Sequence, residues 1–271
     1  MKASAAKLFD LSGRHAVVAG GAGLLGTAFC EALLDGGARV TVLDVDAKRL
    51  AAAKKALRGA EVSRCDLTDA KDVERAVAAA ERRAPIDVLV NAAAIDPKTD
   101  ASAKSDVLSL GFSDYPVELW RKSMDVNLTG IFLVTQACCR CFEKRSRGVV
   151  INVSSTYGLV GPDQRLYDRG GRRPPQFKPG DYSTTKAGLI GFTKYLAAFY
   201  ARRGIRVNCL TPGGTYNGHD KSFVDAYASR TLIGRMARRE EYKGAILFLA
   251  SEASSYMTGS NLVIDGGWTA I

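Results

Sequence analysis

Residues 14–44, RHAVVAGGAGLLGTAFCEALLDGGARVTVLD, decide the fold. The segment opens on a short apolar, β-branched run that stops at glycines. It continues through LLGTAFCEALLDGG with the spacing of an amphipathic helix closed by glycine, and ends in a second buried run, ARVTVLD. Strand, glycine turn, helix and strand make the βαβ unit that seats a dinucleotide. Gly20 permits the tight turn, Gly26 lets helix and strand approach, and the helix N-terminus faces a pyrophosphate. Asp44 closes the second strand, where a carboxylate suits paired hydrogen bonds to a ribose diol and repels the extra phosphate of NADP. The expected cofactor is therefore NAD. Asp46 reads as an ordinary turn aspartate.

Downstream, DYSTTKAG (181–188) holds Tyr182 and Lys186 four residues apart. That spacing puts both on one face of a helix, one turn apart. An ammonium beside a phenol favours phenolate, so the reading predicts a Tyr182 pKa drawn down from ~10 toward working pH. Such a phenol can give or take an alcohol proton while a hydride leaves or arrives at the same carbon. Ser155 in INVSS (151–155) and Asn127 in MDVNLTG (124–130) complete the set.

In order along nearly the whole chain, VVAGGAGLLG (17–26), CDLTD (65–69), DVLVNAAAI (87–95), MDVNLTG, INVSS, the Tyr-x-x-x-Lys pair, IRVNCLTPGG (205–214) and SSYMTGSNLVIDGG (254–267) resemble the short-chain dehydrogenases/reductases. Within that family, STYGLVGPDQRLYD (155–168) and NLVIDGGWTA (261–270) look like the gluconate 5-dehydrogenase-like branch, related to dehydrogenases of surface-sugar and flagellin-glycan pathways. The resemblance implies an α/β fold: one doubly wound, Rossmann-type domain with a mostly parallel sheet and helices on both faces. It implies catalytic roles for Asn127, Ser155, Tyr182 and Lys186. Ser155 and Tyr182 would hold the substrate oxygen, and Lys186 would bind the nicotinamide ribose. Asn127 would kink its helix and hold a water linking Lys186 to solvent. On the cofactor side it implies Gly20, Gly23, Leu24 and Leu25 at the glycine turn, with Asp44, Asp66 and Leu67 toward the adenosine. Asn91, Ala92 and Ala93 would lie after the fourth strand, and Pro212, Gly213 and Thr215 over the nicotinamide, beside Tyr182 and Lys186. Three positions depart from the family pattern: Ala19 replaces a threonine, Leu24 a glycine, and Asn91-Ala92-Ala93-Ala94 stands for Asn-Asn-Ala-Gly. Together they predict that a polar contact between two loops has been replaced by packing.

Composition sets the outer bounds. A chain of 271 residues, 46% hydrophobic, supports one large core, and residues 1–271 read as a single dinucleotide-binding and catalytic domain. No apolar run is long enough to span a membrane, and MKASAAKLFDLSG lacks the core of a secretory signal. The six cysteines include no C-x-x-C, and only His15 and His219 are available as imidazoles. Neither a metal nor a disulfide framework is expected, and the reading is cytoplasmic. A net charge of +10 attracts polyanions. The Lys and Arg are nevertheless spread over many helices and no nucleic-acid module appears, so no nucleic-acid partner is expected.

The exception is an Arg-rich stretch within 161–181, read as an active-site insertion. Arg165, Arg169, Arg172, Arg173 and Lys178 crowd there, as a solvated excursion or as a clamp for an anionic substrate. Tyr157, Gln164, Arg165, Tyr216 and Asn217 are the candidate substrate contacts. The expected activity is NAD-dependent interconversion of a secondary alcohol and a ketone on a sugar, sugar acid or sugar-derived metabolite. Alternatives are a β-ketoacyl-type reductase, which Asp44 disfavours, and a non-catalytic dinucleotide-binding regulator. The C-terminal edge strand and the many-sided apolar helices around 127–144 and 182–203 predict a homotetramer, with a dimer as second choice.

Overall fold

The structure, a computed structural model, describes residues 4–96, 106–167 and 176–271. A short helix α1 (Ala5–Leu8) precedes β1 (His15–Ala19), α2 (Leu24–Asp35), β2 (Arg39–Asp44), α3 (Ala47–Ala56), β3 (Glu61–Arg64), α4 (Ala70–Arg83) and β4 (Val88–Asn91). The second half runs α5 (Val117–Met124), a π-turn (Asp125–Gly130), α6 (Ile131–Glu143), β5 (Gly148–Val153), α7 (Gly180–Phe199), β6 (Ile205–Pro212), α8 (Lys221–Ala228), α9 (Lys243–Ala250) and β7 (Asn261–Ile264).

The strands form one seven-stranded sheet in the order β3-β2-β1-β4-β5-β6-β7, and every pairing is parallel. Parallel strands covered on both faces need apolar residues at every position. Every residue of β1, β4 and β5 is buried accordingly. Alternate residues feed opposite layers: Val17 and Ala19 pack with α4, α6 and α7, whereas Ala16 and Val18 pack with α2 and α9. Chain direction across the sheet reverses between β1 and β4, which opens a crevice at their carboxyl ends. The predicted C-terminal strand β7 is the edge strand beside β6.

Glycine is obligatory at two points of that crevice. Gly20 has φ +74°, and a Cβ there would stand 2.5 Å from the Ala93 backbone. A Cβ on Gly26 would meet the Gly20 carbonyl at 2.2 Å. The glycine turn and the loop after β4 thus touch backbone to backbone at Ala92 and Ala93, close packing of the kind expected from Ala19 and Ala92 in place of the family's threonine and asparagine.

Candidate active site

A cavity of about 1140 Å³ occupies the crevice. One end is built by the glycine turn. α2 begins at Gly23, which offers no side-chain cap, so the first amides of a three-turn helix are left to a ligand. Gly20, Gly23, Leu24 and Leu25 line this end, with Asp44 at the tip of β2. Asp46, by contrast, caps α3 through the amides of Lys48 and Arg49, the structural role its position suggested. Arg49 also faces the cavity beside Asp44. Asp66 accepts from the Thr68 amide and hydroxyl (2.9 and 2.7 Å) and lines the wall with Leu67. Ala92, Ala93, Pro212, Gly213 and Thr215 continue the lining. Asn91 does not. It is fully buried one step behind the surface and donates to Thr135 and Asn152 at 2.8 Å, so it braces the sheet.

At the other end stand Ser155, Tyr182 and Lys186. Ser155 follows β5 and accepts the Tyr157 amide at 3.2 Å, which fixes its turn. Tyr182 sits in the first turn of α7, and its placement depends on Asp181. That carboxylate is buried, accepts from Tyr115 Oη at 2.9 Å and from Ser123 Oγ, and ties α7 to α5. Ser154 Oγ donates to the Lys186 carbonyl at 2.7 Å and fastens β5 to the same helix.

The predicted lowering of the Tyr182 pKa is not what this geometry produces. The Lys186 ammonium donates to the Val153 carbonyl at 2.7 Å and lies 5.7 Å from the Tyr182 ring centre. Burial, followed by the negative charge of Asp96, pushes the phenol above its ordinary value, and a hydrogen bond with Ser155 only partly offsets this. Lys186 itself is drawn down to about 8 by burial. Tyr182 is therefore held as the neutral phenol, the form that donates a proton.

Asn127 does sit where its helix is distorted, inside the π-turn between α5 and α6. It does not line the cavity. Its amide clamps the backbone of Ile95 and donates to Thr185 Oγ1 at 3.2 Å.

The candidate substrate residues divide. Tyr157 and Asn217 line the cavity, and Tyr157 shares a 2.9 Å hydrogen bond with Tyr167. Gln164 instead pairs its amide with the backbone N–H and carbonyl of Lys178, at 2.8 and 3.0 Å. Arg165 is exposed and bonded to Asp163, which also takes Arg230. Tyr216, 54% exposed, lies outside the lining. Arg169, Arg172 and Arg173 fall outside the described residues.

Several lining groups had no motif to announce them. Asp96 and Lys178 form an ion pair beside Tyr182, and the Lys178 ammonium stands 4.5 Å from the Tyr182 ring centre. His219 stacks on Phe223 at 5.0 Å, and both line the cavity. Lys178 was visible only as one more cation of the basic stretch.

Comparison with known proteins agrees with this geometry. The enoyl-(acyl carrier protein) reductase family matches residues 20–269. Galactitol 2-dehydrogenase (L-tagatose-forming) of Cereibacter sphaeroides is 33% identical over 270 residues, 97% of each chain. The crystal structure of a gluconate 5-dehydrogenase from Burkholderia cenocepacia, in complex with NADP and tartrate, superposes with a TM-score of 0.83 at 29% identity, covering 99% of this chain and 100% of that one. A short chain dehydrogenase from Leptospira borgpetersenii with bound NAD+ gives 0.81 at 32% identity, covering 99% and 97%.

Proposed function

The chain belongs to the short-chain dehydrogenase/reductase family, and on that premise we propose that it interconverts a secondary alcohol and a ketone on a sugar, sugar acid or sugar-derived metabolite. The observation that carries the substrate class is the set of polar groups that line the cavity with Tyr182, namely Asp96, Lys178, Asn217 and His219, set among the aromatic rings of Tyr157, Tyr167, Phe223 and Tyr227. An acyl chain would find few aliphatic partners there, whereas a polyhydroxylated compound finds donors and acceptors. The names of the relatives, galactitol 2-dehydrogenase and gluconate 5-dehydrogenase, point the same way.

A nicotinamide dinucleotide, bound along the crevice, would supply or accept the hydride. The glycine turn and the open amides of α2 would hold its phosphates, Asp44 a ribose diol, and Pro212, Gly213 and Lys186 the nicotinamide half. Asp44 supports NAD as the preferred form. Ser155 and Tyr182 would hold the substrate oxygen. In reduction Tyr182 would give that oxygen its phenolic proton, and in oxidation Tyr182, first ionised to the phenolate, would take the hydroxyl proton back. Lys186 would anchor the ribose and, by its charge, ease the phenolate stage. Asn127 acts in this reading by positioning the loop after β4.

Residues 1–271 would then form one catalytic domain with an insertion at 161–181 beside the site. The neighbouring exposed aromatics Phe132, Tyr195 and Phe199 on α6 and α7 support burial against further copies, as in a homotetramer. Six buried free thiols suit a cytoplasmic setting, and no helix among the described residues is long and apolar enough to cross a membrane.

A panel of polyols, aldonic acids and ketoses, offered with NAD and with NADP and followed by the absorbance of the reduced nicotinamide, tests the reading. Turnover of at least one polyol or sugar acid is expected. Turnover confined to acyl thioesters would replace it with the acyl-reductase alternative.

A further inference from the structure

Lys178 is a cation the proton-transfer scheme does not use. Its side chain is 6% exposed, so its charge has little access to water, and a charge so placed requires a counter-ion. Asp96 provides one, yet the Asp96 side chain is 46% exposed. The pair is asymmetric: the ammonium is fixed inside, and the carboxylate can turn out to solvent at little cost.

Three features hold the ammonium in place. The Gln164 amide grips the Lys178 backbone by both its N–H and its carbonyl. Pro179 follows directly as the N-cap of α7, and a proline there disfavours helical backbone at Lys178. The Tyr182 ring lies against the ammonium with its centre 4.5 Å away, a cation–π contact. An ammonium so fixed offers a point charge with several donors, which matches a carboxylate in many orientations.

The geometry points to Lys178 as the residue that reads a carboxylate on the substrate, with Asp96 as the resident counter-ion that this carboxylate displaces. The inference rests on the reading of the cavity as a dehydrogenase site and narrows its substrate class to small hydroxy or keto acids of the sugar-acid type. The contact with the Tyr182 ring sets the spacing, because the carboxylate would lie only a few bonds from the carbon whose oxygen Tyr182 serves. It also moves the reading of anions from the arginines of the basic stretch to the lysine that ends it. Arg165, the one described arginine of the candidates, is already held by Asp163 outside the cavity.

The test is calorimetric titration of D-gluconate and its neutral counterpart D-sorbitol into the wild-type protein, Lys178→Met, Lys178→Arg and Asp96→Asn. Circular dichroism confirms that each variant is folded. A charge-assisted hydrogen bond predicts that Lys178→Met weakens gluconate binding by about tenfold to a hundredfold, with a clearly smaller loss for sorbitol, which forfeits only a neutral contact. Lys178→Arg should retain part of the preference. Asp96→Asn, which removes the competing carboxylate, should tighten gluconate. Equal affinity of the wild-type protein for acid and polyol, no binding of either, or a Lys178→Met loss shared equally by both, overturns the inference. Should the protein oxidise neutral polyols while showing any of those results, the dehydrogenase reading stands and only the role of Lys178 fails. Failure to turn over any alcohol with either dinucleotide, despite acid-selective binding, would count against the dehydrogenase reading instead.

Discussion

Asn127 and Ile95 are joined by two hydrogen bonds: Asn127 Oδ1 accepts the Ile95 amide at 2.7 Å, and its Nδ2 donates to the Ile95 carbonyl at 3.1 Å. The π-turn at Asp125–Gly130 brings the carboxamide out of the helix and onto the loop that carries Ala93 and Asp96. One side chain thereby fixes the wall between the glycine turn and Tyr182.

Asn127→Ala removes both bonds and leaves a partly buried backbone pair unsatisfied. The expected cost is about 1–3 kcal/mol of stability, read as a lower denaturant midpoint at unchanged slope. The Michaelis constants for cofactor and substrate should both rise, because the displaced loop borders both. A variant with wild-type stability and kinetics would remove Asn127 from the account.

The Asp96 charge gives a pH prediction. The groups facing Tyr182 are Lys186 on its own helix, Lys178 and Asp96 on the flanking loops, and Ser155 and Tyr157 after β5. Burial and Asp96 raise the phenol, so alcohol oxidation, which needs a proton acceptor, should climb as pH rises, and ketone reduction should fall. Asp96→Asn removes a negative charge that opposes the phenolate and leaves the Lys178 charge without this counter-ion. Both effects lower the Tyr182 pKa. The alkaline rise of kcat/KM for oxidation should move to lower pH in the variant. A profile that stays put, or moves to higher pH, contradicts the assignment.

Much of the site was legible because its parts are local. The Tyr182–Lys186 face needs one helical turn, Gly20 and Gly26 sit in one strand–turn–helix, and Asp44 ends the next strand. What escaped joins distant segments. Lys178 and Asp96 are separated by 82 residues and Asp181 and Ser123 by 58, and no periodicity encodes such meetings. Gln164 and Asn91 stand apart from the cavity surface for a related reason. An amide near a site looks like a ligand contact, but the Gln164 amide pairs with the Lys178 backbone and the Asn91 Nδ2 with Thr135 and Asn152. The Tyr182 pKa went the other way because spacing fixes how near Lys186 lies, while the tertiary fold fixes how dry the phenol becomes.

In the proposed reading, cofactor choice turns on Asp44. Its carboxylate should favour NAD by repelling a 2′-phosphate, although Arg49 on the same wall supplies a counter-charge. Asp44→Ala should lower kcat/KM with NAD and narrow any gap to NADP. A wild-type protein equally efficient with NADP would show that Arg49, not Asp44, governs this end.

The most direct measurement compares wild-type protein and Tyr182→Phe in two readouts on the same samples, NADH binding by fluorescence titration and steady-state oxidation of a polyol or sugar acid. The substitution removes one hydroxyl and leaves the ring that packs against Lys178. The account predicts NADH affinity within a few-fold of wild type and a rate lower by about 10²–10⁴. A Tyr182→Phe protein that binds NADH and still turns over at near the wild-type rate would contradict it.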